Sequence, residues 1–255
     1  MTDATSLSPI VEMRRIGKSF GAIQALDDVP LRLMAGEILG LVGDNSAGKS
    51  TLMKILSGAY QKDTGDIMVA GEAVHFRNPH ESRARGIEMI YQDFALCGNM
   101  DVAANMFLGR WPTKGWFVDR QRMEAEALAV LGRLKVDVNS VRQRVESLSG
   151  GRQQSVAIAR AISASPRVVI LDEPTANLSV TATRQLLDTM LELKSQGVAQ
   201  IIISHRLHDI FAVGDRVMVL KRGRFVGERR IAASTEDEVL GLIVQGDAAE
   251  AVARA

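Results

Sequence analysis

The chain has one cysteine, Cys97, in 255 residues. A lone thiol excludes any disulfide within the chain, which fits a reducing compartment. Charge of one sign is also missing: 31 basic against 30 acidic residues leave a net charge of +1. That balance excludes a bulk electrostatic pull toward nucleic acid or an anionic membrane, so nucleic acid is not an expected partner. Long apolar runs are absent as well. Runs such as Val168–Leu171 and Ile201–Ile203 suit buried strands, and none approaches the about 18 residues of a spanning helix. Residues 1–9 are polar and lack the charged-then-apolar pattern of a secretion signal. No internal repeat or low-complexity tract interrupts the chain. A soluble protein is expected, and any membrane role would come through a partner.

What is present is an ordinary globular composition, 46% hydrophobic and 24% charged, long enough to bury most of its apolar surface in one domain. Residues 10–35 carry apolar positions at strand-like spacing, with Lys18-Ser19-Phe20-Gly21 as a break. Residues 66–76 predict a hairpin around Ala70-Gly71-Glu72. Residues 95–147 change character toward helix: Met123, Ala127, Leu131 and Leu134 form one apolar stripe between charged faces. Beyond residue 167, a strand at 168–171, a helix at 181–194 and a strand at 201–204 alternate, the pattern of a parallel α/β core. A hairpin around Arg222-Gly223 and a short helix near 236–244 complete the reading.

Two turns have the make-up of anion cradles. Gly43-Asp44-Asn45-Ser46-Ala47-Gly48-Lys49-Ser50-Thr51 fits the phosphate-loop pattern between an apolar strand and a helical pattern. Small residues let backbone N–H groups turn inward around phosphates, and the helix N-terminus adds positive potential. Lys49 would bridge phosphate oxygens and the Ser50 hydroxyl would ligate Mg²⁺. The second turn, Leu148-Ser149-Gly150-Gly151-Arg152-Gln153-Gln154, also opens a helical pattern. Two cradles for one nucleotide suggest that each belongs to half of a shared site.

Other residues suit the same chemistry. Asp172 and Glu173 follow a buried strand, where open α/β sheets bind ligands. Asp172 suits a Mg²⁺ shell, usually through water, and Glu173 is placed to polarise an attacking water. His205 ends the strand at 201–204, expected to run parallel to the one bearing Asp172 and Glu173, so both side chains would emerge near the γ-phosphate. Gln92, at the passage into the helical insert, is either a Mg²⁺ ligand and joint or an ordinary loop residue. Phe20 either stacks on an adenine ring or packs in the core.

Phosphate loop, glutamine, LSGGRQQ, LDEPT and histidine, in this order, resemble the ATP-binding subunits of ABC transporters over roughly residues 11–246. The resemblance implies an α/β fold: a P-loop NTPase core with a parallel sheet, an antiparallel β subdomain and a helical insert. Residues 1–92 and 151–255 would form the catalytic core with its β subdomain, and 93–150 the helical part, including the start of the signature motif. It implies ATP and Mg²⁺ as cofactors. Phe20 becomes the adenine-stacking aromatic, and Gly43, Asp44, Asn45, Ser46, Ala47, Gly48, Lys49, Ser50 and Thr51 the Walker A loop. Gln92 becomes the Q-loop residue, Ser149, Gly150 and Gly151 the signature, Asp172 and Glu173 Walker B, and His205 the switch histidine. Catalysis would rest on Glu173, His205, Lys49 and Gln92, and the metal on Ser50, Gln92 and Asp172. In this family two domains face head to tail, and the signature of one caps ATP on the Walker A loop of the other.

The wording GDNSAGKSTLMKILSGAY, NPHESRARGIEMIYQDFAL and TEDEVLGLIVQG is similar to the monosaccharide importers of the ribose, xylose and fructose type. The implied partners are a second copy or a similar ATPase subunit, an integral membrane permease and, indirectly, a sugar-binding protein. The implied place is cytoplasmic, on the inner face of the membrane through the permease. An importer for another small solute, or an ABC ATPase or regulator outside transport, are the alternatives. Two departures stand out. Ser46 occupies a position where the family usually has glycine, which costs of order ~1 kcal/mol if positive φ is required there and little otherwise. Ser179 ends the D-loop where aspartate is common. Trp111, Trp116 and Phe117 cluster in the insert, either as local packing or as a surface that docks a membrane partner.

Overall fold

The computed structural model describes residues 8–91, 95–134, 136, 138–176 and 178–245. In chain order, the first half holds β1 (Val11–Phe20), β2 (Ile23–Leu33), β3 (Ile38–Val42), α1 (Lys49–Leu56), β4 (Thr64–Val69), β5 (Glu72–Val74), α2 (Pro79–Ala84) and β6 (Ile87–Ile90). The middle holds α3 (Val102–Met106), β7 (Thr113–Lys114), β8 (Phe117–Val118), α4 (Arg120–Arg133) and α5 (Gly150–Ile162). The last part holds β9 (Val168–Asp172), α6 (Val180–Ser195), β10 (Ala199–Ile203), α7 (Leu207–Val213), β11 (Arg216–Lys221), β12 (Arg224–Arg230) and α8 (Glu236–Gln245). No helix among the described residues is long and apolar enough to cross a membrane.

Two sheets organise these elements. A four-stranded antiparallel sheet has the order β2-β1-β4-β5, and a six-stranded sheet has the order β12-β11-β3-β10-β9-β6. In the latter, β11, β3, β10, β9 and β6 pair in parallel and β12 adds an antiparallel edge. All five residues of β3 are buried. Leu39 and Leu41 enter the core shared with the antiparallel sheet and α1, whereas Ile38 and Val42 enter the core under α6 and α7. This explains the unbroken apolar runs of the central strands, since a parallel sheet is covered on both faces. Each fully buried Leu or Ile contributes about 1.5–3 kcal/mol.

The hairpins follow from turn chemistry. Ala70 and Gly71 (φ 50° and 82°) join β4 to β5, and Arg222 and Gly223 (φ 48° and 78°) join β11 to β12. A two-residue turn with positive φ at both positions matches the twist of its strands. The expected break at residues 18–21 is narrower than its residues suggested. Lys18, Ser19 and Phe20 stay in β1, paired with β2, and the turn is Gly21-Ala22. Polar residues are tolerated there because this end of the sheet faces solvent.

A third core lies between α3, α4 and α5, where Met123, Ala127 and Leu131 form the predicted stripe. Residues 95–147 are not wholly helical, because the β7–β8 hairpin interrupts them. Trp111 packs against this third core, whereas Trp116 and Phe117, on the hairpin, are 99% and 81% exposed. Local packing thus holds for Trp111 and not for Trp116 or Phe117. Helix α5 serves two cores at once: Val156 and Ala159 face α3 and α4, and Ile158, Ala161 and Ile162 join the core under the six-stranded sheet.

Candidate nucleotide-binding site

The strand β3 ends at Val42 and the phosphate loop begins at once. Gly43 has φ 144°, and a Cβ on it would stand 2.0 Å from the Leu220 carbonyl oxygen. Gly48 has φ 98°, and a Cβ there would stand 2.8 Å from the Ala25 oxygen. Only glycine fits either place. The Gly223 N–H donates to the Ala47 carbonyl at 3.1 Å, so the turn between β11 and β12 pins the loop from outside. Thus β2, β11 and a distant hairpin close the cradle. Ala47 is buried, while Asp44, Asn45 and Ser46 lie exposed at the tip.

Ser46 has φ 67°. The costlier of the two expectations is therefore the one found, and the Ser46 hydroxyl bonds the Asn45 carbonyl oxygen. Lys49 opens α1 and donates through Nζ to the carbonyls of Gly43 at 2.6 Å and Asp44 at 2.8 Å. Burial pushes its pKa down, against the pull of Glu173, Asp172 and Asp44. An ammonium held in so dry a place gains most from a phosphate. Ser50 and Thr51 follow in the first turn of α1.

Parallel pairing brings the remaining groups to the same sheet edge. Ile203 is in register with Asp172, so β9 and β10 end together beside β3. Burial raises the pKa of Asp172, and a hydrogen bond with Ser50 works against that rise. Glu173 sits in the left-handed region at φ 50°, and its N–H donates to the Ile203 carbonyl at 3.0 Å. The turn aims its carboxylate at His205: Nε2 stands 3.1 Å from Oε1, and the His205 N–H donates to Oε2 at 3.4 Å. Burial raises the pKa of Glu173, partly offset by His205 and Lys49. The His205 side chain is itself 53% exposed.

Ser50 and Asp172 supply two hard oxygen donors in mutual contact. Among the described residues no cluster of three or more His, Cys, Asp or Glu side chains is built to hold a metal. This donor set fits Mg²⁺, which takes one or two protein oxygens and completes its shell from phosphate and water. Gln92 lies outside the described residues, as do Asn177 of the D-loop and residues 1–7. Ser179 caps α6, accepting from the Ala182 N–H at 3.3 Å.

The second turn is placed differently. Ser149 caps α5 without a side-chain hydrogen bond to it, Ser149 and Gly150 are exposed, and Gly151 is half-buried. A Cβ on Gly150 would meet nothing within 4 Å, and one on Gly151 would touch Ala182 at 3.4 Å. Phe20 is 44% exposed and no core residue; its ring meets Tyr60 edge-on at 5.3 Å.

Two connections escaped sequence reasoning. Tyr60, with the Lys54 ammonium over its own ring, meets Phe20, and no spacing rule links residues 20 and 60. Buried Gln154 donates to the Pro174 carbonyl, tying α5 to the turn that holds Glu173. A glutamine within an otherwise apolar helix face was the available signal.

The sequence profile of the ABC transporter family matches residues 26–176. The xylose/arabinose import ATP-binding protein of Sulfolobus acidocaldarius is 40% identical over 233 residues, 91% of this chain and 93% of that one. The ribose import ATP-binding protein of Rubrobacter xylanophilus is 45% identical over 238 residues, 93% of this chain but 47% of its own length. The chain thus spans about half of the ribose relative. The crystal structure of a nucleotide-free ATP-binding cassette from an ABC transporter superposes with a TM-score of 0.80 at 26% identity, covering 92% of this chain and 95% of that one. With the phosphate loop closed at one sheet edge and Asp172, Glu173 and His205 beside it, these likenesses show that the chain belongs to the ABC transporter family, as an ATP-binding cassette.

Proposed function

We propose that the chain is the ATP-hydrolysing subunit of an importer for a monosaccharide of the xylose or ribose type, acting as a pair of cassettes beneath a membrane permease. The observation that carries the hydrolytic reading is the Glu173–His205 pair, with a 3.1 Å approach, at the edge that also bears Lys49 and Asp172. The relatives named for xylose/arabinose and ribose import carry the cargo reading.

In this proposal Phe20 stacks on adenine and the backbone of residues 43–51 cradles the phosphates. Lys49, anchored by two loop carbonyls, holds oxygens of the β- and γ-phosphates. Ser50 and Asp172, with Gln92, hold Mg²⁺, which when bound neutralises phosphate charge. Glu173 accepts a proton from water as its oxygen bonds to the γ-phosphorus and the bond to the bridging oxygen breaks. His205 keeps the Glu173 carboxylate aimed. Ser149, Gly150 and Gly151 of a second cassette face the γ-phosphate from across the dimer, which explains why that turn is open on its own chain. The helical part, 93–150, passes closure on to the permease, which holds the cassette at the cytoplasmic face.

Membrane vesicles carrying the protein and its permease test both halves. ATP turnover and uptake of labelled xylose or ribose should both be present. Glu173→Gln should lower both by about 10²–10⁴-fold while ATP binding persists. Unchanged turnover removes Glu173 from the base role, and turnover without uptake of either sugar removes the cargo.

A further inference from the structure

Two neighbouring glutamines on α5 reach to different parts of the chain. Gln153 Nε2 donates to the carbonyls of Val145 and Leu148, at 3.2 and 3.0 Å, and so fastens the residues that lead into the open turn onto the helix itself. Gln154, only 2% exposed, donates the other way, to the Pro174 carbonyl. Ser149 and Gln154 lie about 7 Å apart along the axis at 1.5 Å per residue, so the open turn and the amide move as one piece. In the turn after β9, the Glu173 carbonyl accepts from the Ala176 N–H and the Thr175 carbonyl from the Leu178 N–H, each at 3.3 Å. The buried Pro174 carbonyl between them takes its donor from α5 instead. Proline has no N–H of its own to hold it, and Glu173 before it is left-handed at φ 50°. A displacement of Pro174 therefore turns the residue that carries the carboxylate. Among the described residues Gln154 Oε1 is buried without a partner, and so is Thr175 Oγ1. A half-satisfied buried amide is a costly way to fill space, and an apolar side chain of the same length would pack as well. What such a side chain cannot do is hold a carbonyl.

We propose that Gln154 is a positioning residue: when the turn at Ser149–Gly151 meets the nucleotide of a second cassette, Gln154 passes the movement of α5 to the Glu173 carboxylate of its own chain. The inference rests on the reading of the protein as a pair of ATP-hydrolysing cassettes, and it names a side chain that links one site of the pair to the other. ATP on one chain would thereby set the aim of the proton acceptor on its neighbour. The unpaired oxygens of Gln154 and Thr175 mark this junction as unfinished in the lone chain, as expected of a contact that has a second arrangement.

Gln154→Met keeps the length and the helix preference and removes the donor. In the paired cassette it should lower kcat about fivefold and leave KM for ATP within about twofold, a split that simple loss of folded protein does not produce. Mixed dimers, purified through two different tags, supply the sharper measurement. They join a chain with an intact phosphate loop to a Lys49→Ala chain, whose disabled loop gives the neighbouring signature turn nothing to meet. The intact site should run about fivefold slower than a site of the wild-type pair. Adding Gln154→Met to the chain with the intact loop should then change the rate by less than about twofold, because the link is already idle. A full further fivefold loss overturns the coupling, and so does an unchanged kcat in the Gln154→Met pair. Should the methionine variant not fold, Gln154→Glu carries the test. Its acid form donates to Pro174 and its ionised form does not, so its kcat should fall relative to wild type as pH rises, and a constant ratio overturns the proposal. A wild-type chain that forms no pair in ATP removes the paired reading itself. Pairs with normal turnover and an indifferent Gln154 remove this inference alone.

Discussion

The turn that opens α1 and the turn that opens α5 share an ingredient list, small residues and glycine ahead of a helix N-terminus, yet they are built in opposite ways. The first is walled in by its own chain: the Leu220 and Ala25 carbonyls crowd Gly43 and Gly48 so closely that a Cβ has no room at either, and the Gly223 N–H bonds the Ala47 carbonyl from outside. The second faces outward, with Ser149 making no capping bond to its helix and open space around Gly150. A closed cradle is preorganised and holds an anion by itself. An open one offers N–H groups that await something brought to it. In the proposed pair of cassettes, that difference assigns the open turn to the nucleotide held by the other copy.

The largest effect should come from breaking the open turn alone. Gly150→Asp places a carboxylate in the first turn of α5, where it suits the helix dipole and where an added Cβ meets nothing within 4 Å. It should leave ATP binding to the phosphate loop intact and lower turnover about 100-fold through repulsion of the partner's phosphates. Lys49→Ala should also abolish turnover, by damaging the closed cradle. Mixing the two inactive proteins is the sharper measurement. Half of the sites in each mixed dimer pair an intact loop with an intact signature, so activity should return. No recovery on mixing, with dimers formed, would show that both turns act on one chain.

A smaller effect concerns the pair that stands between the cradles. Burial raises the Glu173 pKa and His205 holds it down. A proton acceptor must be ionised, so the acid limb of kcat/KM should lie above the ordinary glutamate range. His205→Ala removes an influence that favours the ionised form, so the limb should move further toward neutral pH, with turnover down about tenfold or more. The pH–rate profile of both proteins checks this. A limb that stays in place would mean that His205 only packs.

How much of this was legible follows the same division. Contiguous chemistry could be read directly: the loop at 43–51, Asp172 with Glu173, and the unbroken apolar strands that set them at one edge all lie within short windows. The parallel register of β9 and β10, which brings His205 to Glu173, followed from alternating strand and helix. What could not be read depends on distant approach. Nothing near Gly43 announces the Leu220 carbonyl, nothing near Phe20 announces Tyr60, and no local pattern shows that Gln154 reaches Pro174. The β7–β8 hairpin was missed because strands of two residues leave no periodicity.

The smallest expected effect tests whether the closed cradle is finished. At Ser46 the loop takes φ 67° with a residue that has a Cβ, on the exposed tip where no neighbour forces the side chain out. Left-handed backbone costs a non-glycine residue of order ~1 kcal/mol, and glycine's greater freedom in the unfolded chain returns part of that gain. The balance predicts a modest improvement for Ser46→Gly: ATP binding about two- to fivefold tighter if the strain is carried by the nucleotide-competent loop. Calorimetry of ATP binding beside thermal melting separates two cases. If affinity rises while the nucleotide-free melting temperature is unchanged, the strain is felt only in the nucleotide-bound loop. If only the melting temperature rises, the strain is present whether or not nucleotide is bound. If neither moves, the hydroxyl bond to the Asn45 carbonyl offsets the cost of the left-handed turn, and serine is as good a residue there as glycine.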